Sequence, residues 1–321
     1  MSLRQKKSIG VRSNSRERKC KKKYIFVFEG EKTEKQYFEG IYNYKDDLGI
    51  DSLIDIEILE RYDETMSNQL SVVKSLDDYI KQTLLMQKNQ KIIKEEIIAI
   101  INSSGIEEYG IKDKILKLLN EYIVDNNYEK NIYNFINAVN NIILDSEQNI
   151  DILIDDIKAL KERLEYDHQI DEVCIIIDRD KGSFKQSQYN EVVTICKENN
   201  YNLGISNPCF EFWLLLHLSN CKEYDIEDIR INRKVSKSKR FLERKLADKL
   251  NGSYNKSNIK FEQFKDNINT AIENEKLYEL DIKKLESNVG TRVGLIIENM
   301  MQHNFWDNCV LCYREGRAFP K

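Results

Sequence analysis

Two stretches of the chain are apolar at every position, Tyr24-Ile-Phe-Val-Phe28 and Val173-Cys-Ile-Ile-Ile177. Unbroken apolar runs of this length belong to strands covered on both faces, so the pair predicts a parallel sheet. Ile54-Asp-Ile-Glu-Ile-Leu59 alternates instead, which predicts a half-exposed edge strand, and Tyr201-Asn-Leu-Gly-Ile-Ser206 supplies a fourth. A helix is expected after the first strand, with Gly30 allowing a tight exit, Thr33 as N-cap, Glu34 in the first turn and Tyr37, Phe38 and Ile41 packing on the sheet. An amphipathic helix follows the third strand and runs to about Lys197. Another begins at Pro208, whose missing N–H suits a first helical position, and Phe212, Trp213, Leu215 and Leu216 bury it.

From 63 to 168 the period changes. Apolar residues recur at intervals of three and four, as in Leu70, Val73, Leu76 and Ile80, then Ile111, Ile115, Leu118 and Leu119, then Ile152, Ile157, Leu160 and Leu164. Breaks fall near Asn102-Ser-Ser-Gly105, Tyr109-Gly110 and Asp125-Asn-Asn127. Residues 221–321 again read as helical, with Val293, Ile296, Ile297 and Met300 on one side of a helix from about Thr291. The expected architecture is α/β: a Rossmann-like, four-stranded, mainly parallel sheet built from 24–62 and 169–220, a long α-helical insertion at 63–168 and a helical C-terminal region at 221–321.

Composition sharpens this picture in one respect. The net charge of -4 conceals an asymmetry, because residues 1–23 hold ten Lys or Arg, ending in Lys21, Lys22 and Lys23, against one acid, Glu17. This basic N-terminal arm can neutralise phosphates by counterion release, or serve as a solubilising tail. A second basic run spans Arg230 to Arg240 and carries Arg233, Lys234 and Lys237. It suits a nucleic-acid backbone or a solvated surface. No apolar run approaches the roughly 20 residues of a membrane span, and the N-terminus lacks the apolar centre of a signal peptide, so a cytoplasmic protein with no membrane partner is expected. The 7 cysteines then read as reduced thiols. Cys309-Val-Leu-Cys312 has the spacing of a zinc pair, but no second pair matches it and the nearest histidine is His303.

The chemistry is expected where the strands end. Ligands of open parallel sheets bind beyond the carboxyl ends of the strands, which brings Glu29, Asp178 and Asp180 to one edge. Hard carboxylate oxygens in that number suit Mg2+ or Mn2+, which can hold a phosphate oxygen and activate water for phosphodiester cleavage, with Lys181 balancing charge. Glu211, an acid in the apolar setting of Phe210, Phe212 and Trp213, is a further site candidate because a buried carboxylate is costly unless paired. The alternative is that Asn207 caps that helix and Glu211 satisfies backbone donors.

Glu29-Gly30 after one strand and Asp178-Arg-Asp180 after a later one resemble the signature of the Toprim domain. More narrowly, Phe28-Glu-Gly-Glu-Lys-Thr-Glu-Lys-Gln-Tyr-Phe38, Ile177-Asp-Arg-Asp180 and Ile205-Ser-Asn-Pro-Cys-Phe-Glu-Phe-Trp-Leu-Leu-Leu-His217 resemble the RloB-like family of bacterial proteins. The resemblance implies a Toprim-like fold, a metal-dependent nuclease and a role in defence against phage, often beside an ATPase encoded nearby. It assigns Glu29 as general acid or base and metal ligand, and Asp178 and Asp180 as metal ligands. Glu34 and Glu211 match acidic positions of the family with no assigned role. The leading expectation is a Mg2+-dependent nuclease cutting RNA such as tRNA, or DNA, in anti-phage defence. The alternative is a non-catalytic sensor or adaptor that binds the ATPase or a phage component through its helical insertion. A dinucleotide enzyme is disfavoured, since no Gly-x-Gly-x-x-Gly follows either strand.

Overall fold

The computed structural model describes residues 3–5, 22–30, 32–61, 68–106, 109–123, 128–144 and 151–302. These divide into two compact units, one formed by 3–4, 22–75 and 170–302, the other by 5 and 76–169. The chain runs β1 (Leu3–Gln5), β2 (Lys22–Phe28), α1 (Thr33–Asn43), β3 (Ile54–Arg61), α2 (Gln69–Lys88), α3 (Gln90–Ser103), α4 (Tyr109–Tyr122), α5 (Tyr128–Leu144) and α6 (Asp151–Leu164). It continues with β4 (Glu172–Asp178), α7 (Gln186–Glu198), β5 (Asn202–Asn207), α8 (Phe210–Leu216), α9 (Ile226–Ile231), α10 (Phe241–Lys249), α11 (Ile268–Glu275), α12 (Ile282–Leu285), β6 (Gly290–Thr291) and α13 (Val293–Gln302).

The first unit is built on a sheet of strand order β1-β3-β2-β4-β5-β6. β2 pairs in parallel with β3 (Tyr24↔Ile56) and with β4 (Phe26↔Cys174), and β4 pairs in parallel with β5 (Ile176↔Gly204). These are the four expected strands. The sheet is longer than expected by two short outer members, β1 and the antiparallel β6, whose three and two residues are too few to show a periodicity. Both faces of the central strands are covered, which is why β2 and β4 carry no polar alternation. Tyr24, Phe26, Phe28, Cys174 and Ile176 pack with Tyr37 and Phe38 of α1, Trp213 of α8 and Ile297 of α13, while Ile25, Val27, Ile175 and Ile177 are buried on the opposite face. β3 alternates buried Ile54, Ile56 and Ile58 with half-buried Asp55 and Glu57, as its sequence predicts, but it is not the edge expected of it, since β1 lies outside it.

Several local expectations change. Lys32, not Thr33, holds the cap position of α1, and the Thr33 hydroxyl donates instead to Lys256 O at 2.9 Å. Pro208 lies outside α8: the Asn207-Pro208 peptide is cis, Cys209 is the cap, and the Asn207 side chain donates to Leu285 O at 2.7 Å. β2 begins at Lys22, so the basic arm gives up Lys22 and Lys23 to the sheet.

The second unit is helical, and its core is Ile93, Ile97 and Ile101 of α3, Ile115 and Leu119 of α4, Phe135 and Val139 of α5 and Leu153, Ile157 and Leu160 of α6. Tyr109-Gly110 opens α4 rather than breaking a helix, the break falling after Ser103 where Gly105 takes a positive φ of 71°. Ile152 is 60% exposed, and Leu153 and Ile154 take the buried places. Within this unit Arg163 lies 3.9 Å from the Tyr79 ring centroid and donates to Thr83 Oγ1 at 2.7 Å, tying α6 to α2.

Candidate active site

β2 and β4 end side by side. The Glu29 N–H donates to Ile176 O at 3.0 Å, which continues the ladder one residue past β2 and sets the Glu29 carboxylate against the end of β4. There its Oε2 accepts the Asp178 N–H at 2.9 Å. The first residue of α2, Gln69, closes the arrangement: its Nε2 donates to Glu29 Oε1 at 2.9 Å and to Asp178 O at 3.3 Å. Asp178 Oδ1 in turn accepts the Phe210 N–H at 2.8 Å, in the opening turn of α8.

Glu34 and Glu211 complete the acidic group. Glu34, in the first turn of α1, is buried. A Cβ built on Gly30 would overlap the Glu34 carboxylate, so the glycine after Glu29 lets this carboxylate approach closely and a larger residue would have to displace it. Glu211 is 2% exposed and accepts the Lys256 ammonium at 3.1 Å and the Tyr254 hydroxyl at 3.3 Å. Lys256 sits on an exposed loop that α1 fastens down. Besides the Thr33 bond, Gln36 Nε2 donates to Ser257 O at 3.0 Å and Gln36 Oε1 accepts the Ile259 N–H at 2.7 Å.

Burial, followed by the charge of Glu34 and Asp180, pushes the Glu29 carboxyl up to about 7 against the hydrogen bonds from Asp178 and Gln69. Asp178 lies well above the usual carboxylate range through burial first, then repulsion from Glu34, Glu29 and Glu211, with Lys256 opposing. Glu211 behaves oppositely: burial works against its charge, but Lys256, the Cys209 thiol and the Glu211 backbone amide together hold the carboxyl below its ordinary value. Four carboxyl groups, Glu29, Glu34, Asp178 and Glu211, therefore crowd one edge of the sheet, and among the described residues Lys256 is the ammonium that offsets them.

The other expected residues fall elsewhere. Asp180 is exposed and folds into its own loop, Oδ1 accepting the Gly182 N–H at 2.9 Å and Oδ2 the Ser183 hydroxyl at 3.2 Å. Lys181 is exposed and acts on Glu227, whose carboxyl is lowered mainly by Arg230 and to a smaller extent by Lys181. Arg179, between the two aspartates, is buried and structural, donating to Phe184 O at 2.6 Å and to Glu286 at 2.8 Å. Among the described residues no three His, Cys, Asp or Glu side chains are gathered closely enough to hold a metal ion by themselves.

Of the basic residues expected to meet nucleic acid, Lys21 lies outside the described residues, as do His303, Cys309 and Cys312. Lys22 and Lys23 are corrected: Lys22 pairs with Glu172 at 3.0 Å and Lys23 with Glu57 at 3.8 Å, and both are strand residues occupied within the sheet. Arg233, Lys234, Lys237 and Arg240 are exposed on a tight hairpin closed by the Lys234↔Arg240 bridge and by Val235 N–H to Lys239 O at 3.0 Å. Arg233 pairs with Asp228 at 3.3 Å, and Arg240 donates to Asn232 O at 3.3 Å. Asn232, in the left-handed region at φ 44°, joins the hairpin base to the site, its Nδ2 reaching Cys209 Sγ at 3.3 Å. Sequence reasoning missed Gln69, Tyr254 and Lys256. The last two lie in an Asn-, Gly- and Ser-rich loop stretch that carries no chemical signature, and Gln69 reads as one polar residue among many at a helix start.

A mostly parallel sheet whose central strands deliver acids from distant parts of the sequence to one carboxyl-end rim defines an α/β protein with an acidic rim site. The chain belongs to the RloB-like family, whose description, RloB-like protein, matches residues 24–300. No curated protein and no solved structure matches the chain. Among the described residues no helix is long and apolar enough to cross a membrane.

Proposed function

We propose that the protein is a Toprim-type, divalent-metal-dependent nuclease that cleaves phosphodiester bonds of RNA, such as tRNA, or of DNA. The observation that carries this reading is the convergence of Glu29, Glu34, Asp178 and Glu211 on the carboxyl ends of β2 and β4 and the helices beside them, where burial and mutual repulsion raise Glu29 and Asp178. Such a group is electrostatically short of cation. The donor chemistry fits Mg2+ or Mn2+: hard carboxylate oxygens, together with the buried Gln69 Oε1, which has no hydrogen-bond partner among the described residues. Glu29 and Asp178 would hold the ion, with Glu34 and Glu211 adding negative charge around it. When bound, it would polarise a phosphate oxygen and acidify a water.

The protein's own groups supply the rest. Without a cation Glu29 sits at about 7, so its carboxylate can take up or release a proton near neutral pH, as the general acid or base role implied by the family resemblance requires, and a bound cation would lower that value. Lys256 presents an ammonium that is 59% exposed beside Glu211, placed to meet a phosphate. The hairpin bearing Lys234 and Lys237 offers a sequence-independent contact for the nucleic-acid backbone. The family resemblance extends the reading to anti-phage defence with an ATPase partner.

The test is incubation of purified protein, alone and with the neighbouring ATPase, with tRNA, single-stranded RNA and duplex DNA in Mg2+ and in Mn2+. Cleavage of one substrate by wild type and not by Asp178→Ala supports the proposal. Intact substrates throughout, with phage protection surviving Asp178→Ala in cells, overturn it in favour of an adaptor acting through residues 76–169.

A further inference from the structure

Gln69 is an uncharged side chain that bonds both the Glu29 carboxylate and the main chain of Asp178 at the end of the central strands. It is 1% exposed, and Asn68 fixes its place by accepting the Ser71 N–H on Oδ1 at 3.0 Å to begin α2. Its nitrogen is satisfied twice, by Glu29 Oε1 and Asp178 O. Its oxygen is buried and has no hydrogen-bond partner among the described residues. Exchanging the two atoms of the amide does not remove the anomaly, since the oxygen would then face the Glu29 carboxylate and the carbonyl of Asp178 while two N–H donors lost their acceptors. The amide orientation is therefore fixed by its neighbours, and the orphan is the oxygen.

Buried carbonyl oxygens are ordinarily paired, so an unpaired one beside a crowded acidic group points to a missing positive partner. The residue type is informative too. A glutamate at 69 would add a further negative charge to Glu29, Glu34, Asp178 and Glu211. Glutamine supplies an oxygen of the same reach without charge, while its nitrogen orients Glu29.

We infer that Gln69 is a neutral oxygen donor to the coordination shell of a divalent cation held at Glu29 and Asp178. This rests on the cation-dependent reading above, but concerns binding rather than cleavage. The rival role is a purely structural clamp, in which only the Nε2 bonds matter. The two roles separate because one uses the oxygen and the other only the nitrogen.

The experiment is titration of the full chain with Mn2+, followed by the electron paramagnetic resonance signal of the free ion and by Tm in Mn2+ against EDTA. Wild type, Gln69→Met and Gln69→Glu are compared. Gln69→Met keeps the length and loses both polar atoms, and its Mn2+ affinity is expected to fall by about 10–100-fold. Gln69→Glu keeps an oxygen donor and loses the N–H donor. It is expected to have a lower Tm than wild type in EDTA, to bind Mn2+ at least as tightly as wild type, and to gain more Tm from Mn2+. If Gln69→Glu loses affinity as Gln69→Met does, the oxygen is not a ligand and the clamp explains the residue. If Gln69→Met binds as wild type does, Gln69 has no part in the shell. If wild type itself binds no Mn2+, the cation site falls together with this inference, whereas metal binding without any nuclease activity leaves the inference standing and removes the nuclease.

Discussion

Glu29 Oε2 accepts the main-chain N–H of Asp178 at 2.9 Å, across 149 residues of sequence. The bond makes the two acids parts of one structure, since Glu29 is oriented by the backbone that carries Asp178. It also explains how a carboxylate can be kept in a crowded acidic edge: a main-chain dipole and the Gln69 amide stabilise its charged form while Glu34 and Asp180 oppose it.

The stability of the metal-free protein should fall as pH rises through the neutral range. Glu29 ionises near 7 in the folded chain and near its ordinary value of 4.5 when unfolded, so between these the native state holds the extra proton. Its contribution is fully present below about pH 4.5 and lost as pH rises through 7. In EDTA, Glu29→Gln should therefore be more stable than wild type at pH 8, by on the order of 1–3 kcal/mol, and flatter between pH 5 and 7. Urea unfolding at pH 5, 6, 7 and 8 measures this, and an unchanged slope rejects it.

Gly30→Ala tests the close approach of Glu34. The atoms met by the new methyl belong to the far end of a flexible side chain, so the fold should survive with a loss of about 1 kcal/mol, typical of point substitutions. The Glu34 carboxylate must move, and if the proposed cation-dependent nuclease is right, Mn2+ affinity and cleavage should fall well beyond what the change in Tm explains.

Lys256→Met removes the ammonium from Glu211, whose side chain is 3% exposed. Glu211 in wild type has a lowered folded value, so its pairing stabilises the protein above the unfolded value and the effect is lost as pH falls through the folded one. The variant should lose about 1–2 kcal/mol at pH 8, and the loss should shrink as pH falls below 4.5, the figure being held down by the exposure of the lysine. Denaturation at pH 8 and at a series of values below 4.5 checks the sign. If the proposed nuclease reading is right, cleavage should fall even where the variant remains folded.

Tyr37 and His217 form a buried pair in which the Tyr37 hydroxyl lies 2.9 Å from Nε2 and Nδ1 lies 3.0 Å from Trp213 O. A carbonyl can only accept, so Nδ1 carries the proton and Nε2 accepts from Tyr37. Burial drives His217 down to about 3 despite backbone hydrogen bonds. An NMR titration should show the His217 ring neutral and unchanged from pH 5 to 8. Tyr37→Phe should cost about 1–3 kcal/mol by leaving Nε2 unpaired, without altering metal affinity.

Lys234→Gln combined with Lys237→Gln should leave stability within about 0.5 kcal/mol, because both side chains are exposed at the hairpin. If the hairpin contacts phosphates, the slope of log affinity for single-stranded RNA against log salt should shrink by about 1.4, near 0.7 per contact. Fluorescence anisotropy across salt concentrations measures it, and an unchanged slope removes the hairpin from the nucleic-acid surface.

The sheet was legible because β2 and β4 are buried on both faces, which leaves an unmistakable run of apolar residues, and Glu29 and Asp178 follow as the residues that end those runs. Spacing alone could not separate Asp178 from Asp180. The two differ by whether α8 offers a backbone N–H, as Phe210 does to Asp178, or the local turn offers its own, as Gly182 does to Asp180. Glu211 was visible as a misplaced charge, but its partner Lys256 was not, since that pairing depends on how α1 fastens a distant loop. Lys22 and Lys23 looked like the end of a basic arm because charge patterning does not register that Glu172 and Glu57 stand across from them in the sheet.

The placement of β2 between β3 and β4 has a consequence for how the protein is made. One neighbour follows within about thirty residues, while Lys23 meets Asp171 only 148 residues later. At roughly 5–20 residues per second, the ribosome takes roughly 7–30 s to deliver that second neighbour. Throughout that interval β2, with its five consecutive apolar residues, has one open edge and lacks the cover of α8 and α13. Nascent chains should depend on chaperones that shield extended apolar segments, and refolding from denaturant should be limited by concentration long before the helical unit between those strands fails to form.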